Sequence, residues 1–156
     1  MNTTLIGLDK VKTESLIEGL NTLLANYQVY YQNLRGLHWN IKGKNFFELH
    51  IKFEEFYTDS QEKIDMIAER ILTLGGTPLH TFSDYVELAK VPVGKNVTND
   101  EQSVQLVVTS LAELLKIERV LLEESDGADD EGTNSMMSDF ISEQEKTVWM
   151  LNAWLK

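Results

Sequence analysis

The chain has two prolines, Pro78 and Pro92, and both fall in one central stretch, so the segments on either side are free of the residue that most effectively stops a helix. Long helices flanking a broken middle are therefore expected. From about Thr13 to His38 the positions Leu16, Leu20, Leu23, Leu24, Tyr27, Tyr30, Tyr31, Leu34 and Leu37 recur at three and four, the helical period, and define a first helix. Asn45 with Glu48 three residues on has the form of a capping box. Phe53, Phe56, Ile64, Ile67, Ile71 and Leu74 then carry one apolar face to Gly75-Gly76, predicting a second helix over about 46 to 74. Residues 77 to 98 hold both prolines and the amphipathic run FSDYVELA, a connection with a short helix of its own. Thr98 with Glu101 is a second capping box, opening a third long helix through Val104, Val107, Val108, Leu111, Leu114, Leu115 and Leu122 to Asp126-Gly127. A fourth runs from about Asn134 to Leu155. Tight links within each pair of long helices and one long connection between the pairs predict an all-α four-helix bundle with a single crossover.

A chain of 156 residues fits one domain spanning 1–156. With no cysteine, disulfides and thiolate metal sites are excluded, and any transition-metal site must be built from imidazole and carboxylate. No apolar run is long enough for a signal peptide or a membrane span, so a soluble, cytoplasmic protein is expected. The formal net charge of -11 repels nucleic acid and anionic membranes and favours cations, although solubility alone accounts for it.

Two of the three histidines, His38 and His50, flank the turn in HWNIKGKNFFELH. One closes the first helix and the other lies in the second turn of the next, so a chain reversal at residues 41 to 45 puts both rings at a similar height. Ordinary helix-end histidines would look the same. Further along the second helix Asp65 and Glu69 are four residues apart and share a face, as do His50 and Glu54. A solvated face is the plain reading of such pairs, because Lys52, Lys63 and Arg70 lie on the same helix, yet Asp65 and Glu69 stand among Ile64, Met66, Ile67 and Ala68.

His50 and Asp65 are fifteen residues apart, about 22 Å along a helix, whereas ligands of one metal must each come within about 2 Å of it. One chain cannot join them. Two copies of the second helix, antiparallel about a twofold axis near Tyr57 to Ser60, would face His50 of one chain with Asp65 and Glu69 of the other and form two equivalent sites. Such ligands suit Fe(II), Zn(II) or Co(II), and the Glu-x-x-His motif of di-iron bundles is absent.

The run HWNIKGKNFFELHIKFEEFYTDSQEKIDMIAER, His38 to Arg70, resembles the signature of the Dps family, the ferritin-like mini-ferritins also called DNA-binding proteins from starved cells. GGTP at 75 to 78, DGADDEGTN and the terminal VWMLNAWL extend the resemblance over nearly the whole chain. It implies a dodecameric shell in which Fe(II) is oxidised at twofold subunit interfaces, preferably by hydrogen peroxide, and stored as Fe(III), with no organic cofactor. Such a protein protects DNA and the cell from oxidative damage. By position, His38 and His50 correspond to ligands from one subunit, Asp65 and Glu69 to those of its neighbour, and Glu54 to an additional acid. Trp39 matches a tryptophan beside the centre, placed to capture one-electron equivalents; a packed core aromatic is the other reading. Asp126, Asp129, Asp130 and Glu131 match an acidic lining of threefold pores, with an acidic helix cap as the alternative, and Ser135 stands where some members carry another pore acid.

Some members condense DNA through Lys-rich termini, but here the N-terminal segment offers Lys10 and Lys12 and the C-terminus Lys156, so little or no direct DNA binding is expected. A DNA-compacting, nucleoid-associated protein, a non-catalytic scaffold bundle, and an oxidoreductase with a tightly held di-iron or di-manganese centre are the competing readings. His80 is read as an ordinary surface or packing residue.

Overall fold

The computed structural model describes residues 2–156 as five helices: α1 Lys10–Asn40, α2 Phe46–Thr73, α3 Phe82–Leu88, α4 Asp100–Gly127 and α5 Glu131–Leu155. Among the described residues there is no strand, only a bridge between Thr3 and Asp9 ahead of α1. The fold is all-α, four long helices with α3 in the crossover, as the proline distribution requires. Among the described residues no helix is long and apolar enough to cross a membrane.

Caps decide where the observed ends differ from the expected ones. α1 begins at Lys10, nearly a turn before Thr13, because the Asp9 carboxylate accepts the Lys12 N–H at 3.0 Å. α5 begins at Glu131 rather than Asn134 because Asp130 accepts the Thr133 N–H at 3.1 Å. The cap of α4 is Asn99, not Thr98, with its Oδ1 accepting from Gln102 N–H at 2.7 Å. Asn45 does not cap α2 with its side chain. Its Nδ2 instead donates to Asp100 Oδ2 at 2.8 Å and ties the α1–α2 turn to the start of α4.

α1 pairs with α2 and α4 with α5, and α1 also packs against α4 and α3. The periodic residues meet along the axis: Leu16, Leu20, Leu23, Leu34, Phe53, Ile67, Ile71, Leu114 and Met137 have no exposed surface. Each such side chain contributes about 1.5–3 kcal/mol of transfer free energy. At the end of α2, Gly75 adopts φ +93°, a left-handed conformation that lets the chain leave the helix.

Three asparagines of α1 hold the crossover. Asn21 Oδ1 accepts the Leu79 N–H, Asn26 Oδ1 accepts those of Lys90 and Val91, and Asn33 accepts from Gly94 N–H while donating to the Pro92 carbonyl. These bonds replace the backbone partners an irregular segment lacks.

Candidate metal centre

The turn at residues 41–45 is pinned at three points. Ile41 is buried and donates to the Leu37 carbonyl, Lys42 N–H donates to the Thr98 carbonyl at 2.9 Å, and Asn45 holds Asp100. The turn brings His38 and His50 into a parallel stack with ring centroids 3.7 Å apart. Phe46 stacks on His50 at 5.0 Å and Tyr57 meets His38 edge-on at 5.4 Å. Nδ1 of His38 lies 2.6 Å from the carbonyl oxygen of His50, and Nδ1 of His50 lies 2.7 Å from the carbonyl oxygen of His38. A carbonyl only accepts, so each Nδ1 carries a hydrogen, and in the neutral ring Nε2 is then the nitrogen with the free lone pair. The two residues fix one another's tautomer, and the tautomer they fix is the ligating one.

His38 is buried and His50 half-buried. Glu54, one turn beyond His50 and 57% exposed, places Oε1 3.6 Å from His38 Nε2. This end of the protein thus brings together three of the expected donors, His38, His50 and Glu54, but not Asp65 and Glu69. Both of those acids are exposed further along α2, so the apolar residues beside them in sequence do not enclose them in the protomer. Among the described residues no set of three or more His, Asp and Glu side chains surrounds a common metal position. The donor chemistry, imidazole with carboxylate and no thiolate, fits Fe(II).

Trp39 is 57% exposed and not a core aromatic; the Arg35 guanidinium lies 5.0 Å above its ring. Phe47, Ile51 and Met66 are also exposed, so apolar side chains accompany the acids on and around the outer face of α2. His80 is exposed and faces its neighbour's carbonyl, Pro78 O, at 3.1 Å, as expected of a surface residue.

The acidic turn before α5 divides. Asp126, Asp129 and Glu131 are exposed, but Asp130 is 2% exposed and bonded to Arg70 Nη2 at 2.5 Å and to Thr133 Oγ1 at 2.5 Å. Asp130 therefore acts as a cap and ion-pair partner in this chain. Gly132 permits the pairing, since a Cβ there would stand 2.6 Å from the guanidinium.

A second polar cluster, in mid-bundle, escaped the sequence reading. Glu118 has no exposed surface, and its Oε2 accepts from Tyr27 OH at 2.9 Å and Gln144 Nε2 at 3.1 Å. Gln144 also contacts the Tyr27 hydroxyl. Burial is the main reason that the Glu118 carboxyl is pushed up to about 7, with the bonds from Tyr27 and Gln144 and the charges of Lys63 and Arg119 opposing it. Lys63, expected on a solvated face, is 5% exposed and pairs with Asp59 at 2.6 Å and Glu143 at 2.9 Å. Burial works against its charged form, but the two carboxylates outweigh it and raise its pKa. A signal existed: Glu118 stands four residues after Leu114, inside the apolar stripe.

A profile of the ferritin-like domain matches residues 17–156. The chain is 43% identical over 148 residues to a DNA protection during starvation protein of Porphyromonas gingivalis, covering 95% of this chain and 93% of the relative. It superposes with TM-score 0.98 at 54% identity on a Dps protein from Vibrio cholerae, described as a member of a broad superfamily of ferritin-like diiron-carboxylate proteins, covering 100% of this chain and 98% of that one. A Listeria innocua Dps in which two histidines twelve positions apart are replaced by glycine superposes with TM-score 0.87 at 30% identity, covering 90% and 93%. His38 and His50 have the same separation. With the ferritin-like helices, the locked histidine pair and these relatives in agreement, the chain belongs to the Dps family.

Proposed function

We propose that this protein is a ferroxidase that oxidises Fe(II), preferably with hydrogen peroxide, at sites shared between two subunits and stores the Fe(III) within a dodecameric shell. Iron storage and protection is the family's general role; the shared site, the oxidant and the shell are the finer reading. The observation that carries it is the reciprocal histidine lock, which turns both Nδ1 atoms to carbonyls and leaves both Nε2 atoms for a ligand at an incomplete donor set.

His38, His50 and Glu54 of one subunit would hold Fe(II) together with Asp65 and Glu69 of its neighbour, about the twofold axis near Tyr57 to Ser60. Two Fe(II) ions each give one electron to hydrogen peroxide, the O–O bond breaks, and hydrolysis of the ferric product with two waters yields two FeOOH and four protons. Carboxylates favour the harder Fe(III) and so assist the oxidation. Where a single Fe(II) is bound, Trp39 would supply the second electron. Exposed Asp126, Asp129 and Glu131 would line the route by which cations enter. The cytoplasm is the location this chemistry fits, and with a charge of -11 per chain DNA is protected chemically rather than by direct binding.

The test has two arms. Metal-free protein is given Fe(II) anaerobically, then peroxide or air, and ferric absorbance and peroxide consumption are followed; fast peroxide-driven oxidation leaving a soluble ferric core is expected, and a rate equal to buffer overturns the ferroxidase. In the second arm a His38→Ala/His50→Ala chain is co-assembled with an Asp65→Asn/Glu69→Gln chain. Each mixed dimer regains one of its two sites, so random mixing restores about a quarter of the centres. No recovery in mixed dimers shown to have formed would mean the site lies within one chain. A dimeric mass by light scattering would remove the shell.

A further inference from the structure

The mid-bundle cluster takes one polar contribution from each long helix: Tyr27 from α1, Lys63 with Asp59 from α2, Glu118 from α4, and Glu143 with Gln144 from α5. Carboxylates projecting inward from facing helices are how bundles of this class build di-metal sites. Here the cation among them is the protein's own. Lys63 Nζ bridges Asp59 and Glu143, and the side chain lines both an outer groove of about 270 Å³ between α2 and α5 and an inner cavity of about 190 Å³ reaching Tyr27, Tyr30 and Gln144. Asp59, Lys63 and Glu143 line both spaces.

Two acceptors are left over. Glu118 Oε1 and Gln144 Oε1 are fully buried and have no hydrogen-bond partner, and Gln144 lines the inner cavity. Buried acceptors without donors are costly, and a cation is the natural group to satisfy them. The side chain of Lys63 reaches the outer two carboxylates and stops there. We propose that Lys63 is a specificity-determining residue, a tethered cation that excludes divalent metal from the bundle core and leaves the subunit surface as the place where Fe(II) binds.

The logic is electrostatic and steric together. An ammonium paired with Asp59 and Glu143 offsets half of their charge, occupies the position between them, and repels a second cation at close range. Without the ammonium, Asp59 and Glu143 have no counter-ion between them, and the inner cavity behind carries Gln144, whose amide is bonded to Glu118, an all-oxygen lining of the kind a divalent first-row metal accepts.

The biological sense of this proposal rests on the ferroxidase reading; its test does not, because it counts metal rather than turnover. Metal-free protein in a His38→Ala/His50→Ala background is titrated with Co(II) by calorimetry and visible absorption, with and without Lys63→Ser, Lys63→Arg, and Lys63→Ser combined with Glu118→Gln. Lys63→Ser is expected to bind about one extra Co(II) per chain, Lys63→Arg none, and Glu118→Gln to weaken the gained site by at least about 10-fold. No extra Co(II) in a Lys63→Ser protein of unchanged helical content, or the same gain in Lys63→Arg, overturns the proposal. Crystals of the unaltered protein soaked in Co(II) decide independently of any variant's folding: no anomalous peak beside Lys63 is expected, and one there overturns exclusion.

Discussion

The two polar regions of this bundle differ in what they lack. At the α1–α2 turn, His38 and His50 satisfy each other's Nδ1 atoms and leave both Nε2 atoms open, with Glu54 as the nearest acid. In mid-bundle, Lys63, Asp59 and Glu143 satisfy one another, and Glu118 is enclosed by Tyr27 and Gln144. The first is prepared for something outside the chain, and the second contains its own counter-ion. Having polar groups in a helical bundle does not distinguish a ligand site from a structural network; the direction of the unused lone pairs and the presence of an internal cation do.

The sharpest way to break the contrast is at the open end. His38→Ala/His50→Ala should lower peroxide-driven Fe(II) oxidation at least about 100-fold, followed by ferric absorbance. An unchanged rate would mean that the histidine pair is only structural. Arg70→Ala extends the comparison to the acidic turn before α5, because it leaves Asp130 buried without its partner. The expected loss is about 3–5 kcal/mol in urea unfolding, and a loss under about 1 kcal/mol would show Asp130 to be solvated instead.

The closed region should answer to pH. The Glu118 carboxyl sits at about 7 in the fold, above its ordinary value near 4.5, so the folded protein binds more protons than the unfolded one between these limits. Stability should therefore fall as pH rises from about 4.5 to 7, by on the order of 3 kcal/mol, and the fall should vanish in Glu118→Gln. Equal pH profiles of unfolding would place the proton elsewhere. Smallest of all, Arg119→Ala removes a half-exposed pair with Glu145 and should cost about 0.5 kcal/mol or less by the same unfolding measurement.

Sequence alone carried the helices, because an apolar residue every three or four positions leaves a helix no other face to bury. α2 was expected at about 46 to 74 and spans Phe46–Thr73. Helix starts were less legible, since only the local backbone decides which side chain reaches an N–H three residues on: Asn99 caps α4 in place of Thr98, and the Asp130 cap starts α5 at Glu131, before the expected Asn134. The histidine spacing was legible as a height match, but not the exchange of hydrogen bonds, which depends on the rotation of α2 about its axis. Lys63 was opaque for a different reason. A lysine among Glu62 and Asp65 reads as solvated, and its burial follows from Glu143, eighty residues away on another helix.

The pinned turn also has a consequence for how this protein tolerates change in length. One residue added to a helix rotates everything beyond it by about 100° and advances it about 1.5 Å. With Ile41 buried, Lys42 bonded to Thr98 and Asn45 bonded to Asp100, the 41–45 segment has little slack to absorb such a twist. An insertion between Phe46 and His50 would swing the second imidazole off the first, break both carbonyl bonds and set the rings free to choose either tautomer. The five residues of the turn thus act as a gauge block, and their number, more than their identity, sets which nitrogen of each ring is left bare.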